Sequence, residues 1–520
     1  MTKKKSFRKL LAAVCALTLV GGMGAAVAAN AADPAPWAQG APTTGSITIT
    51  KTDDSKTPAE AVKGAEFTVT PVTEINGATF DLKTQDGWET VAKQVNKLNA
   101  DPTDGVTLGT AEKKETGTDG KATFTGLAIG LYKVEETKVP AGYSSDVKPF
   151  FMTIPEITGD NSGTMTYNYN VEAKPKNKNV KDSVSKTGDY TATVGEGDDI
   201  SYNMSATLNK KGTLTKDDIQ GFAIFDDAQT DAFTTIDETS VKSVKIDGGA
   251  DLALNTDYTV AVTPNPAGYE AGQSGRTRVQ VNFTDAGLAK IAAASTDSAA
   301  PKVLVNLTFK LKNGADAPDS VTNKFGFVPG KGNGEPEQPP IIRNPKDPDP
   351  VNPDPNDPNP TVKFRQFQVN KTNSTDNTAL AGADFIAFAN KTDAENCVKT
   401  DNRDSCSGAS ANFGTRTTGA DGKTPAYKAR VGAAFYVVEK KAPEHFILSN
   451  KVTEVTIDAG DNAFETNIAN VPIPGSDPSI IWFKLPRTGA IGVGIFALLG
   501  AGLVAGGTAM HMRSRRRENA

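Results

Sequence analysis

Three polar side chains fall where the alternation of a strand calls for apolar ones, and their types are those of an amide-forming reaction. Residues two apart on a strand share a face. In Phe367-Gln368-Val369-Asn370-Lys371 that rule puts Lys371 inward with Phe367 and Val369. In Phe435-Tyr436-Val437-Val438-Glu439 it puts Glu439 inward with Phe435 and Val437, and in Ile468-Ala469-Asn470 it puts Asn470 inward with Ile468. Burying such groups unpaired is costly. Desolvation lowers the pKa of an amine and raises that of a carboxyl group, so the pair can exist as neutral amine and neutral acid. The amine of Lys371 can then attack the carboxamide of Asn470 while protonated Glu439 polarises the carbonyl and shuttles protons. Ammonia leaves and an amide crosslink remains. A hydrogen-bonded buried ion pair is the alternative.

The same three residue types recur upstream. Val184 shares a face with Lys186, Phe222 and Ile224 with Asp226, and Val321, Phe325 and Phe327 with Asn323. Asp227 is an alternative acid, because a bulge would flip the register, and Lys181 is a rival for the amine. Further upstream still, Ile47 and Ile49 share a face with Lys51, and Tyr132 and Val134 with Glu136. The strand that should close this first domain shows Tyr167, Tyr169, Val171 and Ala173 on its apolar face, with Asn168, Asn170 and Glu172 facing away. The expectation is therefore an unreacted buried pair of Lys51 and Glu136 without a crosslink.

Positioning these residues requires strands, and the chain reads as all-β: threonine, valine and glycine are abundant, alternating runs are short, and helical periodicity is scarce. A basic start, Lys3 to Lys9, precedes an apolar run from Leu10 to Val20 and small residues up to Ala31, the pattern of a signal peptide over 1–31. At the other end Leu485-Pro486-Arg487-Thr488-Gly489 is followed by an apolar run from Ala490 to Met510 and by Arg513, Arg515, Arg516 and Arg517. The run is long enough for a transmembrane helix, and the arginines hold its end in the cytoplasm. An exported chain leaves Cys397 and Cys406 in an oxidising setting, where a short-loop disulfide is expected. Between the ends lie about 450 residues, room for roughly three domains. The stretch 329–360, with repeated Asp-Pro and Asn-Pro steps, reads as a stiff linker.

Residues 485–489 resemble the LPxTG sorting signal of Gram-positive surface proteins, in which a sortase cysteine attacks the carbonyl of Thr488 and a nucleophilic amine takes over the acyl group. Leu380-Ala381-Gly382-Ala383-Asp384-Phe385, and Glu439 followed by Ala442-Pro443, resemble the opening word and the "E-box" of CnaB-type domains, which carry Lys-Asn isopeptide bonds. Val62 to Phe67, and Glu136 followed by Pro140-Ala141-Gly142-Tyr143, echo both words; His445, at the glycine position of the later E-box, is read as a turn residue. Tyr167 to Asn177 is similar to the pilin motif WxxxVxVYPKN, with Val171, Pro175, Lys176 and Asn177 matching and Tyr167, Ala173 and Lys174 departing.

The chain thus resembles sortase-assembled Gram-positive major pilins, the SpaA- and FimA-like shaft subunits. The resemblance implies three tandem Ig-like or CnaB-type β-sandwich domains. Its expected organisation is signal peptide 1–31, CnaB-like domain 45–177, middle Ig-like domain 178–328, linker 329–360, CnaB-type domain 361–474, and sorting signal with helix and basic tail 485–520. It also implies intramolecular bonds Lys186–Asn323 with Asp226 and Lys371–Asn470 with Glu439, and an intermolecular bond from Thr488 to Lys176 of the next subunit. The first domain, lacking a bond, would be the compliant element. Implied partners are a pilus-specific sortase, a housekeeping sortase with peptidoglycan, identical subunits in a head-to-tail polymer, and tip pilins. A monomeric wall-anchored adhesin is the rival reading. With only His445 and His511 and no metal cluster or phosphate loop, neither an enzyme nor a cofactor or metal is implied. The net charge of -5 gives no nucleic-acid footprint.

Overall fold

Buried alternate residues on the first strand set the frame of the first domain: Ile47, Ile49 and Lys51 are all fully buried. A computed structural model of the chain describes residues 33–474, apart from Asp54, Lys56, Asp101, 161–162, 268–274, 344–360, Asp401 and Asp461. The signal peptide and the sorting signal, including Thr488, lie outside the described residues. The fold is a tandem of β-sandwiches.

The first domain is built on β1 (Thr44–Thr50), β2 (Thr52–Asp53), β3 (Glu66–Ile75), helix α1 (Gln85–Ala100), β4 (Lys121–Ala128), β5 (Gly130–Lys138), β6 (Phe150–Ile154), β7 (Asn170–Ala173) and β8 (Lys176–Asn179). β1 lies between antiparallel β4 and parallel β7, with Ile47 opposite Val171 and Ile49 opposite Ala173. β8 runs parallel to β2, with Asn177 opposite Asp53. The facing sheet has the order β6-β5-β3. Phe67, Phe124, Val134 and Ile154 fill the space between them. Helix α1 departs from the all-strand reading of the sequence: Trp88, Val91 and Leu98 are buried on one side of it, and the Trp88 indole donates to the Leu82 carbonyl at 2.7 Å.

The middle domain shares a compact unit with the first. Its strands are β9 (Val184–Asp189), β10 (Asp199–Thr207), β11 (Ala223–Gln229), β12 (Arg276–Phe283), β13 (Lys302–Lys310), β14 (Lys324–Val328) and β15 (Ile341–Arg343). β9-β10-β13 form one sheet and β12-β11-β14-β15 the other. Tyr202, Phe222, Phe309, Phe325 and Phe327 pack between them.

The segment 329–360 therefore does not begin as a linker. Ile341–Arg343 pairs with Phe325–Phe327 of β14, and Gly326 permits the approach, since a Cβ there would sit 2.1 Å from the Ile341 carbonyl oxygen. Ile341 and Ile342 are apolar and precede the Asn-Pro and Asp-Pro steps, which start at Asn344; those later residues, 344–360, are outside the described set.

The third domain forms a separate unit. It contains β16 (Thr361–Asn373), β17 (Asp384–Phe388), a short helix α2 (Lys391–Cys397), β18 (Ala434–Lys441) and β19 (Phe464–Asn470). β16 and β19 run parallel, with Lys371 opposite Ile468, and β17 pairs with β18 in the facing sheet, with Phe385 opposite Glu439. Cys397 and Cys406 are disulfide-bonded, with Cα atoms 5.3 Å apart.

Candidate functional site: buried lysine, acid and asparagine clusters

In the third domain the three residues singled out by strand parity meet. The Lys371 Nζ donates to Asn470 Oδ1 at 2.5 Å and lies 3.1 Å from Glu439 Oε1. The Asn470 Nδ2 donates to the same Glu439 oxygen at 2.7 Å. All three are buried. The amine and the amide come from neighbouring parallel strands, while the acid reaches across from the facing sheet. Burial pushes the Lys371 ammonium below its usual range, against the pull of Glu439. The carboxamide nitrogen, which must leave as ammonia, points at the carboxyl group able to hand it a proton. The other Glu439 oxygen accepts from the Ser449 N–H at 2.7 Å, and the Ser449 carbonyl accepts from the Arg403 guanidinium at 2.7 Å.

The middle cluster is built differently. Lys186 on β9 belongs to one sheet, and Asp226 on β11 to the other, with Asn323 between the neighbouring strand segments Ser320–Thr322 and Lys324–Val328. Lys186 Nζ bonds Asp226 Oδ2 and lies 4.1 Å from the centroid of the Tyr202 ring. Burial pushes the Lys186 ammonium down to about 8 and the Asp226 carboxyl up. Asn323 is fully buried, and both polar atoms of its carboxamide lack a hydrogen-bond partner of normal geometry among the described residues. Its amide is thus desolvated beside an amine and an acid. Of the two alternatives left by the sequence, Asp227 is held in a two-pronged pair with Arg278 at 2.7 and 2.8 Å, and Lys181 is exposed in a 3-10 turn.

The first domain brings a correction. Lys51 Nζ lies 2.9 Å from Glu136 Oε2, both side chains fully buried, as the expected pair. An asparagine is nevertheless presented to it: Asn177, 1% exposed, donates from Nδ2 to Glu136 Oε1 at 3.0 Å. Its Oδ1 has no partner among the described residues. The bond from carboxamide nitrogen to acid matches that of Asn470 and Glu439, whereas the Lys51 amine rests on the Lys176 carbonyl and not on the Asn177 oxygen. Strand parity read from the sequence ends the closing strand before Pro175, yet the chain resumes as β8 on the same parity, so that Ala173 and Asn177 both face inward while Lys174 and Lys176 are exposed. Continuing the odd-numbered count past the proline would have found it.

Lys176 and Asn177 are therefore adjacent residues pointing opposite ways. The Lys176 carbonyl accepts from the core amine of Lys51 at 3.1 Å, while its side chain is exposed and makes no hydrogen bond or ion pair among the described residues. In the two E-boxes, Gly142 has φ of 88° and His445 φ of 70°. Both occupy the left-handed region, which explains the glycine and makes His445 a strained turn residue.

With this geometry in place, comparison with known proteins gives consistent results. Residues 45–170 and 365–472 match the SpaA family, described as a prealbumin-like fold domain. The fimbrial subunit type 1 of Actinomyces viscosus is 25% identical over 505 residues, 90% of this chain and 87% of that protein. The fimbrial subunit type 2 of Actinomyces naeslundii is 27% identical over 512 residues, 90% of this chain and 86% of its own. In fold, the chain resembles the full-length major pilin SpaD from Corynebacterium diphtheriae, with a TM-score of 0.53 at 23% identity over 82% of this chain and 98% of that one. The chain carries two SpaA-type prealbumin-like domains and is similar over nine tenths of its length to fimbrial subunits.

Proposed function

We propose that this chain is a major pilin polymerised covalently by a sortase, through an amide between the Thr488 carbonyl of one subunit and the Lys176 amine of the next, and stiffened by internal Lys-Asn amides. The observation that carries the reading is the pairing at β8: an exposed lysine on a strand whose next residue is locked into the core. That arrangement fixes the backbone of the acceptor while leaving its amine accessible, as an intermolecular nucleophile requires. A pilus-specific sortase, a housekeeping sortase that transfers the finished shaft to peptidoglycan, and tip pilins are the partners this chemistry needs.

Internal bonds are assigned to Lys186–Asn323 with Asp226, to Lys371–Asn470 with Glu439 and, because Asn177 faces the first-domain pair, to Lys51–Asn177 with Glu136. In each, the Nζ–Cγ bond forms, the Cγ–Nδ2 bond breaks, and the acid relays a proton from the amine to the departing ammonia. The deciding experiment co-expresses the chain with its pilus sortase and resolves boiled cell-wall extracts on a denaturing gel. A high-mass ladder that vanishes in Lys176→Ala is expected. A monomer band in both chains would favour the anchored adhesin, and a ladder that survives would move the acceptor to another lysine.

A further inference from the structure

The acid of the first-domain cluster is held in place by a part of the middle domain. Glu136 Oε2 accepts from the Ser145 hydroxyl at 2.6 Å, on the same oxygen that faces Lys51. Ser145 is in turn gripped on both sides by one side chain: its N–H donates to Gln338 Oε1 at 3.1 Å, and its carbonyl accepts from Gln338 Nε2 at 2.8 Å. Ser145 and Gln338 are 193 residues apart in sequence, and both are buried.

Gln338 sits on a strap that leaves β14 and returns as β15. The strap is anchored to the middle domain along its length. The Asn209 carboxamide makes two bonds to the backbone of Gly330, at 2.8 and 2.9 Å, Lys210 pairs with Glu335 at 2.5 Å, and Arg343 bonds the Lys181 carbonyl at 2.8 Å. The strap that carries Gln338 is therefore anchored by residues that follow β10 in one sheet and by its pairing with β14 in the other.

In the third domain the acid is supported from within, by a backbone N–H instead of a hydroxyl. Ser449 bonds Glu439, and its carbonyl is held by Arg403 of the same domain. One acid is thus positioned by its own domain and the other by its neighbour.

We infer that Gln338 is a positioning residue that makes crosslinking of the first domain conditional on a folded middle domain, whereas the third domain crosslinks autonomously. The inference rests on the Lys51–Asn177 bond proposed above. The reacting step is unchanged: Lys51 Nζ displaces ammonia from Asn177, and Glu136, oriented by Ser145, carries the proton. Because Asn177 follows Lys176, the acceptor backbone becomes fixed only once the junction between the two domains is assembled. A half-folded subunit would not present a rigid acceptor.

The test uses the full secreted chain, with time-resolved intact mass and mapping of the three crosslinked peptides. Wild type is expected to lose three ammonia molecules. Gln338→Ala and Ser145→Ala are expected to form the middle and third bonds normally and the Lys51–Asn177 bond about tenfold more slowly, the scale of one lost hydrogen bond to a charged group. Ser145→Thr, which keeps the hydroxyl, is expected to restore the rate. The buried Trp88 indole reports whether the first domain is folded in each variant. A folded first domain that crosslinks at the wild-type rate without Gln338 overturns the inference. If Gln338→Ala fails to fold, Ser145→Ala decides, since it leaves the strap intact and removes only the hydroxyl; a wild-type rate there overturns it equally. A wild-type chain with no Lys51–Asn177 peptide at all would instead refute the first-domain bond itself.

Discussion

Replacing Asn470 by alanine removes the electrophile of the third domain and leaves its amine and acid in place. Lys371 and Asn470 are 99 residues apart, so their amide closes a loop of about 100 residues in the unfolded chain, and the chain-entropy relation for such a crosslink gives about 4–5 kcal/mol. For a domain of roughly 100 residues that loss lowers the melting temperature by about 20 °C or more. Scanning calorimetry of the full chain should show the third-domain transition move by that amount, and intact mass should rise by the one ammonia no longer lost, after correction for the substitution. Asn467→Ala is the control: Asn467 is exposed on the same strand and bonds only the Asn370 carboxamide at 2.9 Å among the described residues, so its effect should stay within about 0.5 kcal/mol. A wild-type third domain whose mass shows no lost ammonia, or an Asn470→Ala transition within a few degrees of wild type, would refute the reasoning.

The middle domain offers a pH signature. In an Asn323→Ala chain Lys186 remains an amine, with a pKa of about 8 when folded against 10.5 ordinarily. Below about 8 both states carry the proton and the burial cost is complete; as pH rises from 8 towards 10.5 the folded amine has already lost its proton and the unfolded one has not. Stability should therefore rise through that window, by about 3 kcal/mol, in urea titrations read on the middle domain. The wild-type amide nitrogen does not titrate and should give no such rise. The two adjacent acids separate by mass: Asp226→Ala should abolish the Lys186–Asn323 bond, while Asp227→Ala should retain it and instead remove the carboxylate partner of the Arg278 guanidinium at a cost of about 3 kcal/mol.

Strand parity alone locates Lys371, Glu439, Asn470, Lys186 and Asn323, because a charged or amide side chain turned inward among apolar ones is too costly to keep unless partners meet it there. It does not choose between Asp226 and Asp227. What distinguishes the two is Arg278 on the neighbouring strand β12, which pairs with Asp227 and leaves Asp226 facing Lys186, a long-range pairing no local pattern contains. Asn177 escapes the sequence for a different reason. Proline lacks a ladder donor and usually ends a strand, but here the chain merely changes partner at Pro175, from β1 to β2, and keeps its parity. Helix α1 and the strap to β15 are equally hidden. The first is a single amphipathic insertion between strands, and the second is a three-residue strand whose place depends on the missing side chain of Gly326. The disulfide is legible because export leaves the two cysteines no other partner.

The position of Lys176 changes the mechanical role expected for the first domain. In the proposed polymer, tension enters a subunit through the Lys176 side chain and leaves through Thr488. From Lys176 the covalent path runs forward one residue to Asn177, on to Lys186, across its amide to Asn323, on to Lys371, across to Asn470, and out. The loops between Lys186 and Asn323 and between Lys371 and Asn470 are bypassed and cannot be drawn out. Everything before Lys176, the whole first sandwich from β1 to β7, hangs beside that path and bears none of the load. A compliant first domain would therefore add no extensibility to the shaft, and a Lys51–Asn177 bond would add no tensile strength. What such a bond does is hold β8 against β2, with the Lys176 carbonyl on the Lys51 amine, so that the acceptor is rigid when the acyl group arrives. In the proposed polymer the same chemistry would thus serve two ends in one chain: in the middle and third domains it would carry force, and in the first it would present a nucleophile.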